Sequence, residues 1–562
     1  MAGRFTFAQA ALALVIALFL FVFLVVPVFT VIYAAFTSNG SFTLSHFQSF
    51  FHLTLMREAL YNSLYVGGMS VVVSSILALP LAYFITRFQF RGALAIQTLG
   101  VLPLIMPPFV GATAMQLLFG RSGSLNLILG DWFGINLPLM QGLNAVIFVE
   151  ALHYFPFILL NLTVALNNID SAMEESAQNL GASGFRLFRR IVFPLAMPGY
   201  VAGAALVFLK VFDDVATPLV LNVTSILAAQ AYLRITSIGI DDPIGYVASV
   251  IMVMASMAAL WGSSWAMRGK DYATLQRGGS SLATRKLRPW QAVLAYGWIV
   301  FVLLLVLSPH FGILLLSFSK LWSFSVIPEA YTLDNYATVF RDSPFMLWNS
   351  LLYCGIAAGL DVLIGTAIAY LMLRTRLPGR RVLDFIATGA VAIPGVVLGI
   401  GYLRTFRDFN MPFTGLPFVS FWLILAFAYT VRRLPYALRS CVAGLQQVHV
   451  SMEEAAENLG ANNRRTIWRI VVPLMAGGIL AGFVTSFLTA AVEISATIML
   501  VAATSDAPAS YGIYLYMQSI VGRGPGAALS VIAVTLVGLG TYASHRIMRA
   551  RSMRFEALQA LK

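Results

Sequence analysis

The sequence predicts an all-α, polytopic membrane protein with about twelve transmembrane helices in two parallel six-helix repeats. Hydrophobic residues make up 59% of the 562 positions and charged residues 10%, whereas soluble domains average about 25% charged residues. Apolar stretches long enough to cross a bilayer recur along the chain, and one ten-residue motif occurs twice. Because a bilayer core offers the backbone no water, these stretches are expected to form helices.

Twelve apolar stretches are predicted to span the membrane. The first begins near the N-terminus and is too long for the apolar region of a cleavable signal peptide, so it is interpreted as a retained anchor. The predicted spans of the first half are residues 10–36, 62–86, 93–119, 143–166, 197–221 and 244–267. Those of the second half are residues 292–318, 349–373, 383–406, 416–438, 476–502 and 525–548.

The formal net charge of +13 reflects membrane topology. With the N-terminus inside, most Lys and Arg residues fall in cytoplasmic segments, which is the positive-inside pattern. Both termini are therefore predicted to be cytoplasmic, and no nucleic-acid partner is expected. The two cysteines, Cys354 and Cys441, lie in apolar spans and indicate neither a disulfide framework nor a metal site.

An internal duplication organises the chain. The segment 173–182 returns at 452–461 with eight of ten residues identical, and the earlier pair Pro107 and Pro394 also aligns. Each half has six spans, an even number, so the two halves enter the membrane in the same direction. The predicted domains are a first half, 1–267, with a loop at about 167–196, a linker, 268–290, and a second half, 291–562, with a loop at about 445–475.

The duplicated loops carry a distinctive pattern. In each, a Glu is followed by small residues, by a Gly six positions later and by Ile and Pro at sixteen and nineteen. The pattern resembles the "EAA" loop of bacterial binding-protein-dependent ABC importer permeases of type I. The residues concerned are Glu175, Ser176, Ala177, Gly181, Ile191 and Pro194, and Glu454, Ala455, Ala456, Gly460, Ile470 and Pro473.

Local signals in the loops predict short helices. Capping-box patterns begin at Ser171 and Ser451, and Gly181 and Gly460 are expected to adopt the left-handed conformation that ends a helix. A small apolar face is expected from Ala177, Leu180, Ala456 and Leu459. A second amphipathic helix is expected to follow in the first half and to stop at Pro194.

The resemblance implies partners. It implies two cytoplasmic ABC ATPase subunits, a periplasmic solute-binding protein and membrane lipid around an inner-membrane, multi-pass chain. The sequence has no phosphate-binding loop of its own, so ATP and Mg would bind the ATPase, and no catalytic residue, metal or cofactor is predicted in this chain. The loop residues implied to couple with the ATPase are Glu174, Glu175, Ala177, Gly181, Pro194, Glu453, Glu454, Ala456, Gly460 and Pro473.

Ionisable residues inside spans are costly and are candidates for function. Arg432 and Arg433 lie well inside the tenth predicted span. They either pair with Glu493 or another acid, line the path for an anion, or sit at the headgroups if the span ends early. Glu493, Asp213 and Asp214 are further candidates for the translocation path, although Lys210 could instead neutralise Asp214 four residues along the helix.

The sequence indicates the cargo less directly than it indicates the class of transporter. Fusion of two halves, the segment 493–500 and the segment 429–435 are similar to ferric iron permeases. Related fused permeases move 2-aminoethylphosphonate, thiamine or phosphorylated sugars, and the arginines would suit an anion. An ion-gradient-driven secondary transporter and a membrane-embedded enzyme are rival classes, but neither requires the paired loops.

Overall fold

The computed structural model describes residues 7–89, 92–267, 287–412 and 414–560. In these ranges the chain is almost entirely helical, which confirms the predicted fold class. The β-strands found there form two small antiparallel pairs, Thr37–Ser38 with Ser41–Phe42 and Ser319–Leu321 with Ala330–Tyr331. Most of the predicted linker, residues 268–286, lies outside the described residues.

The described helices follow the predicted spans in order. Eight helices are long and apolar enough to cross a bilayer: Phe7–Phe36, Thr54–Arg87, Gly142–Asn167, Gly184–Asp213, Pro243–Ala266, Pro289–Phe318, Pro344–Arg374 and Arg523–Gly540. Three bent pairs add one span each: Ala95–Ile105 with Pro108–Phe133, Arg380–Ala392 with Gly395–Phe406, and Asn463–Leu474 with Ala476–Ala491. Helix Leu423–Gln446, which contains three arginines, lies in the place of the predicted span 416–438.

Short helices connect the spans. Those outside the two duplicated loops are Ser45–His52, Ala216–Val220 and Leu227–Leu233 in the first half, and Asp334–Asp342, Thr497–Leu500 and Ala509–Met517 in the second. The two duplicated loops carry Ser171–Asn179 and Val450–Asn458. We call these two the first and second loop helices.

The third span of each half is sharply bent. The axis turns by 102° before Pro108 and by 110° before Gly395, so the predicted spans 93–119 and 383–406 are each formed by two helices. The aligned prolines Pro107 and Pro394 explain the bends. A residue that precedes proline is pushed out of the α region, and Met106 and Ile393 are both extended.

The fifth span of each half ends earlier than predicted. The predicted spans 197–221 and 476–502 stop as helices at Asp213 and Ala491, and the short helices Ala216–Val220 and Thr497–Leu500 follow each break. Continuous apolarity concealed the breaks in the sequence. Acidic side chains at 214 and 493 satisfy backbone N–H groups there, as described below, and allow the helices to be interrupted.

Pro194 does not stop the helix that follows the first loop, contrary to the prediction. Helix Gly184–Asp213 continues through it into the fifth span. A π-helical turn over Phe188–Val192 lies just before the proline. Such a turn changes the hydrogen-bond pattern of the helix, so the helix continues although the proline has no N–H to donate. In the second half the corresponding helix bends by 67° after Leu474.

The first span of each half packs against the opposite half. In the first span, the carbonyl of Phe23 accepts a hydrogen bond from Tyr402 at 2.7 Å, and Thr30 contacts Thr405 at 2.9 Å. In the seventh span, Gly312 lies so close to Ala114 of the first half that an added Cβ would meet its methyl group at 2.9 Å. The halves are therefore interlocked.

Small-residue motifs bring the fourth and fifth spans of each half together. An added Cβ at Gly199 or Gly203 would collide with the backbone of the fourth span at 2.5–2.8 Å. At Gly478 and Gly482 the nearest backbone atoms of the fourth span lie at 2.6 and 3.2 Å. Both Gly-x-x-x-Gly pairs therefore serve close helix contact, as small residues commonly do in membrane helices.

The interlocking of the halves depends on Gly401. Its added Cβ would lie 2.5 Å from the carbonyl oxygen of Pro27 on the first span, so Gly401→Ala should destabilise the protein by about 1–3 kcal/mol through overpacking. We expect the midpoint of thermal denaturation in detergent to fall by several degrees. Gly355→Ala is the matched control, because nothing lies within 4 Å of that position; equal midpoints for the two variants would contradict the close contact.

Candidate functional site

The two loop helices occupy equivalent positions. Their starts, Ser171 and Val450, lie 279 residues apart, the same offset as in the duplicated motif. Asp170 caps the first by accepting a hydrogen bond from the Ala172 N–H at 3.0 Å, and the ring of His449 caps the second through the Ser451 N–H at 3.2 Å. The predicted capping boxes are wrong, since both serines lie inside the helices and the preceding residue supplies each cap.

Both loop helices end in the same way. Gly181 and Gly460 have φ angles of +87° and +83°, which confirms the predicted left-handed positions. The next residues complete the closure: the Ala182 N–H bonds the Ala177 carbonyl at 2.9 Å, and the equivalent bond from Ala461 to Ala456 measures 3.0 Å. This is the Schellman arrangement, which satisfies carbonyls at a helix end.

The loop helices have two distinct sides. Ala177 and Ala456 turn towards the spans, whereas Leu180 and Leu459 are 90% and 89% exposed. A single apolar face formed by all four residues is therefore an incorrect prediction. Each loop instead presents one solvent-facing leucine at its tip, beside the glycine that closes the helix.

Each loop helix carries two adjacent glutamates, one on the side facing the spans and one on the solvent side. Glu174 and Glu453 are buried, whereas Glu175 and Glu454, in the family-like motif, are exposed. Glu174 pairs with Arg87 at 2.7 Å, and Glu453 pairs with Arg374 at 2.6 Å. The two arginines, which align in sequence, each end the second span of their half.

The same arginines bind the fourth spans. Arg87 donates to the carbonyl of Leu166 at 2.9 Å, and Arg374 donates to that of Leu445 at 3.5 Å and to that of Val448, just after the fourth span, at 2.6 Å. Each loop helix is thus joined to two spans through one guanidinium. Arg87 and Arg374 align in the duplication but were assigned no role, and the repetition of both the arginine and the glutamate in the two halves was the signal that could have revealed it.

A second cluster of charges lies at the breaks in the fifth spans. Arg432 bonds Asp213 of the first half at 2.6 Å and also bonds Glu493 of the second half, which in turn bonds Arg433. The Gly395 N–H, at the start of a helix in the second half, donates to Asp213 at 2.6 Å. A negative side chain at a helix N-terminus is favoured by the helix dipole.

The aligned acids Asp214 and Glu493 cap the short helices after the breaks. Asp214 accepts from the Ala216 N–H at 3.0 Å, and Glu493 accepts from the Ala496 N–H at 3.2 Å. The Thr217 hydroxyl also bonds Asp214. Among the ion pairs of the described residues there is none between Lys210 and Asp214, so that pairing is wrong.

The charges of the two halves are asymmetric. The positions that align with Arg432 and Arg433 are His153 and Tyr154 in the first half, so Asp214 has no equivalent pair of arginines beside it. Glu150, fully buried on the same span, lies next to Asp214. In the part of the chain that the structure describes, no group of three or more His, Cys, Asp or Glu side chains could hold a metal ion.

The family described as "Binding-protein-dependent transport system inner membrane component" matches the chain twice, over residues 70–268 and 361–554. These two stretches contain the two loop helices and both breaks. The chain belongs to this family. It is a transport subunit of the inner membrane, and the permease carries the family unit in duplicate.

Some curated relatives match most of this chain, and others match only part of it. The ferric transport system permease protein FbpB of Actinobacillus pleuropneumoniae is 30% identical over 80% of this chain, which spans 65% of that relative. A putative ferric transport system permease protein, FbpB 1, of Haemophilus influenzae is 28% identical over 86% of this chain and 76% of its own. The molybdenum transport system permease protein ModB of Haemophilus influenzae is 36% identical over 25% of this chain and 64% of its own.

The ion pair between Arg374 and Glu453 should hold the second loop helix against the spans. Removing either partner leaves the other charge largely buried, and hydrogen bonds to charged groups contribute about 1.5–3 kcal/mol. Glu453→Gln and Arg374→Gln are therefore expected to speed proteolytic cleavage at the second loop of the purified permease. The loss of protection against cleavage in the double variant should be smaller than the sum of the losses in the two single variants.

The exposed pair Arg341 and Asp342 provides the control. Arg341 donates to its sequence neighbour at 2.8 Å in solvent, where such pairs contribute about 0–1 kcal/mol. Arg341→Gln should leave the cleavage rate at the second loop unchanged. Additive effects of the Arg374 and Glu453 substitutions would show that the two side chains act independently.

Proposed function

We propose that the permease is the membrane-spanning part of an ATP-driven importer that receives ferric iron from a periplasmic binding protein. The observation that carries the proposal is the pair of equivalent loop helices, each with an exposed leucine and glutamate on one side and a buried glutamate–arginine pair on the other. The ferric cargo is supported by the printed names of the two relatives that match over most of this chain.

Two ATPase subunits are the proposed partners of the loop helices, one for each. Leu180 and Leu459 present compact apolar tips of a kind that fits a groove on another protein, and Glu175 and Glu454 lie on the solvent side with them. A displacement of either loop helix would be transmitted through Glu174 or Glu453 to the arginine that contacts two spans. ATP and Mg would act in the ATPase.

The proposed orientation follows from the positive-inside rule. The loop helices and both termini face the cytoplasm, where the ATPase subunits reside. The binding protein docks on the opposite side, which carries the two small strand pairs. Lipid surrounds the apolar faces of the spans.

The charges at the breaks are proposed to border the translocation path, where Lys210 lines the same cavity as Asp213 and Arg432. Arg432 and Arg433 are both engaged by carboxylates, so neither presents a free positive charge to an anion. Asp214, also part of the proposed path, and Glu150 have no arginine partner in the first half. If Arg432→Gln and Arg433→Gln variants lost uptake of an organic anion that the wild type imports, the anionic alternative would be favoured instead.

Co-purification tests the partnership. A tagged permease expressed with its ATPase should retain that subunit through detergent extraction and size-exclusion chromatography, at two ATPase copies per permease. A double variant, Leu180→Glu with Leu459→Glu, should release the ATPase. In the complex each leucine would be buried against the ATPase, and a charged side chain at that contact is unfavourable. Retention by the double variant, or failure of the wild type to retain any ATPase, would contradict the proposed docking.

Gly460 tests coupling. A bulky residue at φ +83° is strained, so Gly460→Leu should deform the end of the second loop helix and reduce ATP-driven uptake at least tenfold while membrane insertion stays intact. Gly477→Ala, at a helical position with nothing within 4 Å, is the control. Undiminished transport by Gly460→Leu would count against a coupling role for the loop.

A further inference from the structure

We propose that the permease binds one anionic phospholipid in a groove between its first span and helix Arg380–Gly389. An acyl chain would lie in the groove, and the phosphate would lie at Arg376 and Arg381. The proposal goes beyond the function proposed above and holds for any cargo. It is carried by the shape of the groove, by the arginines at its end and by their absence from the aligned segment of the first half.

The first span forms one wall of the groove. Five residues of this wall recur at helical spacing on one face of the span: Ala10, Ala13, Leu14, Ala17 and Phe21. The alanines leave the hollow, and the larger side chains border it. Leu14 and Phe21 are 70% and 54% exposed, so the hollow is apolar and open on its outer side.

The second half forms the other wall. It contributes the turn after the eighth span and the apolar side of helix Arg380–Gly389, including Leu377, Pro378, Val382 and Leu383. Val382 is exposed as well. The groove therefore lies on the contact between the halves, where the first span packs against the opposite half.

The groove is long enough for an acyl chain. Its lining on the first span runs from Ala10 to Val25, which is roughly 22 Å at the rise of an α-helix. One leaflet of the hydrocarbon core is about 15 Å thick. The charged residue in the lining is Arg380, which donates to the carbonyl of Met372 at 3.0 Å and also bonds that of Thr375, so its guanidinium closes the end of the eighth span.

Arginines are concentrated at this end of the groove. The segment 374–381 contains four arginines and no acid. Arg374 is paired with Glu453, and Arg380 is bound to carbonyls. Arg376 and Arg381 are exposed, and neither takes part in an ion pair among the described residues.

The two free arginines adjoin the groove. Arg376 precedes Leu377 and Arg381 precedes Val382, and both of these apolar residues line it. The next acid along the chain, Asp384, lies 3.8 Å from Arg439. Guanidinium groups bind phosphate with paired hydrogen bonds, so this end of the groove suits a phosphate group.

Positive-inside topology alone does not explain these arginines. Gly92 and Gly379 are equivalent positions, since each precedes a helix with a φ angle of +82° or +83°. In the same alignment Arg376, Arg380 and Arg381 correspond to Gln89, Ala93 and Leu94. The first-half segment, 87–94, keeps two arginines where the second half has four, although both segments are predicted to be cytoplasmic.

An anionic phospholipid matches this combination. The groove is apolar along its length and basic at one end, as a lipid is apolar along its chains and charged at its head. Basic clusters directly beside a span attract anionic headgroups. A zwitterionic lipid would fill the same hollow but would gain less from two free guanidinium groups.

Native mass spectrometry of the detergent-purified permease tests the headgroup. The wild type should bind a first phosphatidylglycerol at least fivefold more tightly than phosphatidylethanolamine. Arg376→Gln with Arg381→Gln should reduce this preference to within twofold. A wild type without the preference, or a double variant that keeps it, would overturn the proposal.

Arg186→Gln with Arg189→Gln is the matched control. Both residues are exposed in the loop of the first half, so the control loses the same charge at a distant position in the sequence. Its fivefold preference should remain. An equal loss in the two double variants would assign the preference to general attraction between a basic protein and anionic lipid, and would also overturn the site.

Filling the groove tests the acyl chain. Ala13→Phe should weaken phosphatidylglycerol binding at least threefold, whereas Leu12→Phe, at a position 43% exposed and outside the groove, should leave it within a factor of 1.5 of the wild type. Equal affinities in the two variants would remove the chain from the groove.

The same spectra distinguish other occupants. Displacement of the lipid by millimolar inorganic phosphate would assign the arginines to a soluble anion. A lipid-free dimer of the permease that Ala13→Phe dissociates would assign the groove to a second copy of the chain. Either result would overturn the lipid site. These measurements use the permease alone, so they stand whether or not ferric iron is the cargo.

Discussion

Burial of charge in the bilayer is the constraint on which the arrangement of this permease depends. A charge in the membrane interior has to be paired, and removing one partner of a buried pair costs about 3–5 kcal/mol. Arg432 meets that requirement with acids from both halves, Asp213 and Glu493. Moving Asp213 away from Arg432 would therefore leave a buried carboxylate without its arginine, and such a movement requires an input of energy or a replacement charge.

The broken helices follow from the same constraint. Non-helical backbone at membrane depth is tolerated where it is buried in protein and its polar groups are satisfied. Asp214 and Glu493 supply acceptors for the N–H groups after each break, and the bent third span brings the Gly395 N–H to Asp213. Acids that neutralise arginines thus also complete the backbone, so the charge cluster and the breaks stabilise each other.

A continuous helix connects the charge cluster with the first loop helix. Helix Gly184–Asp213 runs without interruption from just after the first loop helix to the residue that contacts Arg432. In the second half the same route bends after Leu474. A displacement of the first loop would therefore reach Asp213 through one continuous helix, whereas the second loop would act through a bent one. The first half, whose helix is continuous, is also the half that lacks the paired arginines.

Sequence reasoning was most successful where the signal was local or repeated. The twelve spans, the duplicated loops and the left-handed glycines Gly181 and Gly460 follow from apolar length, self-similarity and conformational freedom. The breaks at Asp213 and Ala491 were missed because the apolar pattern continues across them, and hydropathy does not report where a carboxylate caps the backbone. The pairing of Arg432 with Asp213 joins residues 219 positions apart and could not be chosen from sequence over the alternatives that were open.

Uptake by the reconstituted importer tests the central claim most directly. Proteoliposomes that hold the permease and its ATPase would be supplied with the binding protein and, separately, with labelled ferric iron or labelled 2-aminoethylphosphonate. The account predicts accumulation of iron that requires ATP and the binding protein, and no accumulation of the anion. Import of the anion in place of iron, or iron uptake that continues without ATP, would contradict it.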